Sequence, residues 1–165
     1  MKLYHGSNVI VDKPSIQYTK HRVDYGVGLY TTTSYQQAVD WVTTKHNNKV
    51  FDSGFVNVYE FDLEKAKLFL NLKLFDLTPS EEWLDFVEDN RTKPEFHHEY
   101  DAVYGPVAND RVYAAFALYE SNVLNKQETI RELKTYVLKD QWLFHTEKSL
   151  DFLKFVEAQE IKFTK

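Results

Sequence analysis

The sequence predicts an α+β fold built around a mainly antiparallel sheet, and three observations predict it. Strand-like and helix-like segments follow one another without a regular βαβ rhythm. Several short runs alternate apolar and polar residues with the period of half-buried strands. At 165 residues with 43% apolar side chains, the chain has enough material for one sizeable core. No repeat, low-complexity stretch or linker-like run interrupts it, so a single domain over residues 1–165 is expected.

Lys2 to His5 reads as a short strand, and a polar loop carrying Pro14 runs on to Gly26-Val27-Gly28. Leu29 to Thr32 resumes β character. Ser34, with Gln37 three residues later, has the form of a capping box, and Ala38, Trp41 and Val42 fall on one helical face. Val56 to Phe61 and Leu68 to Leu74 are expected as two central strands. Thr78-Pro79-Ser80-Glu81 combines an N-cap, a first-turn proline and a box-closing glutamate, opening a helix with Trp83, Leu84 and Val87. Ala102 to Tyr104 reads as a strand, and Asn109 is placed to cap a helix bearing Val112, Ala115, Phe116 and Tyr119. A helix around Ile130 and Leu133 precedes a strand at Trp142 to Phe144. A short helix through Leu150 and Leu153 and a last strand through Ile161 and Phe163 complete the expected order.

The net charge of −5 provides no general attraction to phosphate backbones or anionic membranes, which slightly favours a protein or small-molecule partner over nucleic acid. The absence of cysteine excludes disulfides, thiolate zinc sites and a cysteine nucleophile, and fits a reducing compartment. No apolar segment follows Lys2, and no run is long enough to cross a bilayer, so a cytosolic protein without a membrane partner is expected. His97 and His98 are neighbours on an extended chain and point to opposite sides, with no further ligand spacing nearby. They read as a solvated loop, and no metal is expected.

Tyr4-His5-Gly6-Ser7 places an imidazole and a bare backbone position at the end of the first strand, which suits a ligand as well as a simple strand-ending turn. Asp24-Tyr25-Gly26-Val27-Gly28-Leu29-Tyr30-Thr31 sets two glycines before an aromatic residue, so the chain can turn sharply and present Tyr30. Trp41 follows eleven residues later on the helix. Two such rings can fill the core or clamp a flat heteroaromatic ring between them.

Together these segments resemble the ADP-ribosyltransferase superfamily, in the branch of diphtheria toxin and the poly-ADP-ribose polymerases. His5-Gly6-Ser7 matches that branch's His-Gly-Ser or His-Gly-Thr, and Gly26-Val27-Gly28-Leu29-Tyr30 matches its Gly-x-Gly-[Ile/Leu]-Tyr. Asp140-Gln141-Trp142-Leu143-Phe144 resembles its third motif, with Gln141 where the branch has glutamate. Tyr100 to Asp110 also resembles a small bacterial and phage branch that has a Tyr-Asp-x-Val-x-Gly-Pro-Val-Ala-Asn-Asp segment.

The resemblance implies an ADP-ribosyltransferase-like fold with a split sheet and flanking helices, and NAD⁺ as co-substrate without a metal. It implies that His5 bonds the adenosine ribose, the Gly6 backbone holds the nicotinamide carboxamide and Ser7 assists. Tyr30 then stacks on the nicotinamide, with Trp41 lining the other side. Gly28, Leu29, Thr31, Ala38 and Asn109 line the same pocket, and Thr31 and Thr32 are candidate phosphate or ribose contacts. A glutamine at position 141 keeps a hydrogen bond to the ribose but carries no charge and cannot act as a general base. Asp110 is the candidate for the missing carboxylate, competing with a role in the first turn of a helix capped by Asn109. Glu147 ranks below it, as a residue that caps or faces solvent. Lys20-His21-Arg22 is either a basic spot for pyrophosphate or a solvated cluster.

The expected function is therefore mono-ADP-ribosyl transfer to an unidentified macromolecule. Kinship adds a toxin or effector role and, with it, an antitoxin or regulatory partner. Two alternatives remain from the same pocket: a non-catalytic NAD⁺- or ADP-ribose-binding or protein-interaction module, and NAD⁺ glycohydrolysis.

Overall fold

A computed structural model describes residues 1–16, 23–107 and 110–163, with Asp110 and Arg111 as backbone only. Seven strands and six helices lie among these residues, in the order β1 (Lys2–Ser7), β2 (Leu29–Thr31), α1 (Tyr35–Asn47), β3 (Phe55–Phe61), α2 (Leu63–Phe69), β4 (Leu72–Leu74), α3 (Glu81–Thr92), β5 (Ala102–Pro106), α4 (Asp110–Glu120), α5 (Lys126–Leu133), β6 (Asp140–Phe144), α6 (Glu147–Leu150) and β7 (Leu153–Glu160). The strands form two sheets, β1-β3-β7 and β2-β6-β5-β4. Every pairing is antiparallel except β4 with β5. One backbone bridge, Tyr4 with Thr32, joins the two sheets.

The expected α+β class and antiparallel bias are present. Two apolar clusters hold the layers together. Leu3, Tyr59 and Phe61 of the three-stranded sheet face Leu29, Trp142 and Phe144 of the four-stranded sheet, with the Phe61 ring 5.1 Å from Trp142 and 5.2 Å from Phe144. On the far side of the four-stranded sheet, Val103 and Leu143 pack under Trp83, Leu84 and Val87 of α3, Val112 and Phe116 of α4, and Ile130 and Leu133 of α5. Tyr25 is fully buried in this second cluster.

Helix α1 begins as its sequence directs. Ser34 accepts from the Gln37 N–H at 3.2 Å. The Gln37 side chain, however, reaches Thr32 and the Asp140 carbonyl rather than closing the box. A reciprocal capping box occurs instead at α5, between Asn125 and Glu128.

Several expectations need correction. Ser80, not Thr78, caps α3. Asp62 caps a helix where Leu68 to Leu74 was expected to be a strand; α2 buries Ala66 and leaves Leu68 and Phe69 in solvent. The strand that follows, β4, is three residues long and lies at a sheet edge, so it is not central. The central strand β3 lacks strict alternation because both its faces are covered, and Val56 to Tyr59 are all buried. At the C-terminus, α6 ends at Leu150, Leu153 opens β7 and the strand stops at Glu160. Ile161 adds one further bond to the Gly54 carbonyl, and the Phe163 ring stacks on His46 at 3.7 Å instead of extending a strand. Among the described residues no helix is long and apolar enough to cross a membrane.

Candidate functional site

Where the sheets meet, Tyr4 of β1 and Thr32, directly after β2, exchange two backbone hydrogen bonds at 2.8 and 3.0 Å. The next residue along β1, His5, lies with Nδ1 at 2.7 Å from the Tyr30 carbonyl. A carbonyl only accepts, so the Nδ1 proton donates to it and Nε2 is left as an acceptor. Burial lowers the His5 pKa below its ordinary value, with the bond to Tyr30 opposing, which favours the neutral ring. Ser7 ends β1 with its hydroxyl engaged by Val9 and by Asn57.

Gly6 lies under α1. A side-chain carbon there would stand 2.7 Å from Val42 Cγ2, 2.8 Å from the Ala38 carbonyl and 3.2 Å from Trp41 Cε3. Ala38 is buried in this contact, whereas Trp41 is 45% exposed and packs edge-on against Phe51, with Lys45 over its ring. The Gly6 backbone and the Trp41 ring are thereby adjacent.

The glycine turn presents Tyr30 as expected, but it also binds the ring's far end. The Tyr30 hydroxyl donates to the Gly26 carbonyl at 2.6 Å and accepts from the Tyr25 N–H at 3.1 Å. Burial first, and then the Asp24 carboxylate, push this phenol well above its usual pKa, so it stays protonated. Gly26 has φ +97° and Gly28 φ +150°. At Gly28 a side-chain carbon would fall 2.2 Å from the Phe144 carbonyl, so the glycine is needed for β2 to approach β6. Two imidazoles hold the same turn from outside: His98 donates through Nε2 to the Tyr25 carbonyl at 2.7 Å, and His145 through Nδ1 to the Val27 carbonyl at 2.6 Å. Their rings are 4.4 Å apart. His98 is thus a half-buried clamp, in place of the solvated loop expected for that pair, while His97 is exposed. His145 sits at the strand-to-helix corner, and Thr146 caps α6.

Gln141 lies on the face of β6 that carries Leu143, and Leu143 pairs with Tyr30 across the ladder. Its amide donates to Asp24 Oδ2 at 3.0 Å and to the Pro106 carbonyl at 3.2 Å. Both residues are buried, Gln141 at 7% and Asp24 at 6% exposure. Tyr25 closes the arrangement: its hydroxyl donates to the same Pro106 carbonyl at 2.7 Å and accepts from the Trp83 indole at 2.8 Å. Next to Gln141, the Asp140 carboxylate accepts from the Thr32 hydroxyl at 2.8 Å and from the Thr33 N–H and hydroxyl at 3.0 and 2.6 Å, fixing the entry to α1.

The residues singled out from sequence thus fall into four groups. His5, Tyr30 and Gln141 connect through the β1–β2 junction and the Asp24 loop, and Gly6 touches Trp41. Leu29, Thr31 and Thr32 are buried; the Thr31 hydroxyl has no partner among the described residues, and the Thr32 hydroxyl is held by Asp140, so neither presents a group at the surface. Asn109, the Asp110 side chain and the basic stretch Lys20-His21-Arg22 lie outside the described residues. Glu147 is an exposed first-turn residue of α6.

Sequence reasoning missed Asp24, Tyr25, Asn57, His98 and Asp140 as site-building residues. Asp24 directly precedes the glycine turn, and that position was the one signal available. Among the described residues no three His, Asp or Glu side chains gather in a way that holds a metal ion. A depression of about 950 Å³ lies at the opposite end of the three-stranded sheet, bordered by Met1, Lys2, Glu60, Asp62 and Lys154, away from these residues.

Two antiparallel-dominated sheets with six helices, and a buried polar cluster at the sheet junction, define an α+β protein of mixed layers. The family model described as "Protein of unknown function (DUF3990)" matches residues 1–155, and the chain belongs to that family. No curated protein and no solved structure matches it.

Proposed function

We propose that the protein has an ADP-ribosyltransferase-like fold, binds NAD⁺ at the sheet junction and transfers ADP-ribose to a macromolecular acceptor. The observation that carries this reading is the His5–Tyr30 hydrogen bond. It ties the His-Gly-Ser motif to the Gly-x-Gly-Leu-Tyr motif at the point where β1 meets β2, with Gln141 on the neighbouring strand β6.

In this reading His5 Nε2 accepts a ribose hydroxyl, the Gly6 backbone meets the carboxamide, and the Tyr30 and Trp41 rings flank the nicotinamide. The bond between the nicotinamide nitrogen and ribose C1′ breaks, and both electrons leave on the nitrogen, which becomes neutral. A nucleophilic O–H or N–H of the acceptor bonds to C1′ and gives its proton to solvent. Positioning and preorganised electrostatics carry such a reaction. Transfer of a single ADP-ribose fits a glutamine at position 141, and a protein acceptor fits the negative net charge.

Incubation with adenine-labelled NAD⁺ and a cell lysate tests the reading. Covalent label on a macromolecule, abolished by Tyr30→Ala in a folded variant, is expected. Nicotinamide release without label would make water the acceptor and the protein a glycohydrolase. Binding without release would make it a non-catalytic module. No binding at millimolar NAD⁺ would end the proposal.

A further inference from the structure

The Gln141 carboxamide is oriented by its own hydrogen bonds. Its amide nitrogen faces the protein interior, donating to Asp24 Oδ2 and to the Pro106 carbonyl beside the Tyr25 hydroxyl. What the amide has left to offer a ribose hydroxyl is its oxygen, Oε1. A carboxylate bonded to the nitrogen side of an amide draws its protons and leaves more negative charge on the oxygen, and a buried setting strengthens that polarisation. We propose that Asp24 is the positioning carboxylate of the transfer reaction: it fixes the Gln141 amide and supplies, through it, the negative charge that glutamine itself lacks.

This inference rests on the transferase reading above. As nicotinamide leaves, positive charge develops on the ribose ring, and Gln141 Oε1 backed by Asp24 faces that charge as a polarised dipole with an anion behind it. Tyr30 is held by the same loop, since its hydroxyl bonds to Gly26 two residues beyond Asp24. Ring and amide are therefore positioned by one turn. Asp24 is 117 residues from Gln141 in sequence, which makes the pairing a property of the fold.

A double-mutant cycle on nicotinamide release from NAD⁺, with thermal melting of each variant, tests the assignment. Asp24→Asn keeps one oxygen as an acceptor for the Gln141 amide, removes the charge and turns the other oxygen into a donor. Its kcat is expected to fall about a hundredfold with little change in KM. Gln141→Glu alone sets two carboxylates against each other, so one must take up a proton, and kcat is expected not to rise. The double variant, Asp24→Asn with Gln141→Glu, again has one carboxylate facing one amide and is expected to recover most of the lost kcat.

A folded Asp24→Asn protein with wild-type kcat overturns the assignment, as does a Gln141→Glu gain that is equal with and without Asp24. Should Asp24→Asn fail to fold, a folded but inactive double variant overturns it and an active one supports it. A wild-type protein that releases no nicotinamide overturns the transferase reading and the assignment with it; wild-type activity that is indifferent to Asp24 overturns the assignment alone.

Discussion

Gly6 shows how one residue answers to two demands. The proposed function would account for its bareness by a ligand's carboxamide, yet packing already forbids a side chain there, because Val42 Cγ2 and the Ala38 carbonyl stand 2.7 and 2.8 Å from where Cβ would be. Neither obstacle is a flexible side-chain tip, so Gly6→Ala must push α1 away from β1. Its expected cost is about 1–3 kcal/mol, the range for overpacking a well-filled contact. Urea unfolding of the variant measures it, and an unchanged midpoint would show that the helix yields freely. At this scale His5, Gly6, Tyr30 and Gln141 were legible through the family resemblance of their motifs. Asp24 was not. Its meaning depends on Gln141 arriving beside it from 117 residues away, and no local pattern announces that.

Among the elements, the start of α1 follows its local cap as expected, whereas the cap of α2 was missed and that of α3 misplaced. Ser34 caps the helix that begins at it because an N-cap acts over three residues. The segment Leu68 to Leu74 misled because its apolar residues suggest a buried strand, while Asp62 nucleates a helix that leaves two of them in solvent. Strand β3 hides its alternation because neighbours cover both faces, and one of its buried residues, Asn57, anchors the chain beyond β1. Its Oδ1 accepts from the Val11 N–H at 2.7 Å, and its amide reaches Ser7, Val9 and the His5 carbonyl. Asn57→Ala leaves the Val11 N–H without that acceptor, so a loss of about 1–3 kcal/mol is expected. Hydrogen exchange should localise it, with the Val11 amide exchanging faster while the Leu143 amide in β6 changes only with global stability. Uniform acceleration everywhere would show that the loop has no separate anchor.

For the molecule as a whole, His98 on the glycine turn and His5 at the sheet junction link folding to pH. Burial lowers the pKa of His98 below 6.5, against the opposing bond to Tyr25, and the nearby His145 and His97 lower it further. His5 is lowered in the same direction, again chiefly by burial. A group whose folded pKa lies below its unfolded one binds fewer protons in the native state, so stability rises with pH across the interval between the two values. The contribution is complete above the unfolded value of 6.5, is lost as pH falls from there through the folded pKa, and then levels off. His98→Gln provides a direct check, since glutamine can still donate to the Tyr25 carbonyl but takes up no proton. Between about pH 7.5 and about pH 5.5, the urea midpoint of the wild type should fall more than that of His98→Gln, the difference being the proton taken up by His98 on unfolding. Carboxylates titrate alike in both proteins, so parallel pH profiles would mean that His98 does not couple the Tyr25–Val27 turn to folding. A steeper profile in the variant would reverse the sign and place a charged imidazole in the native state.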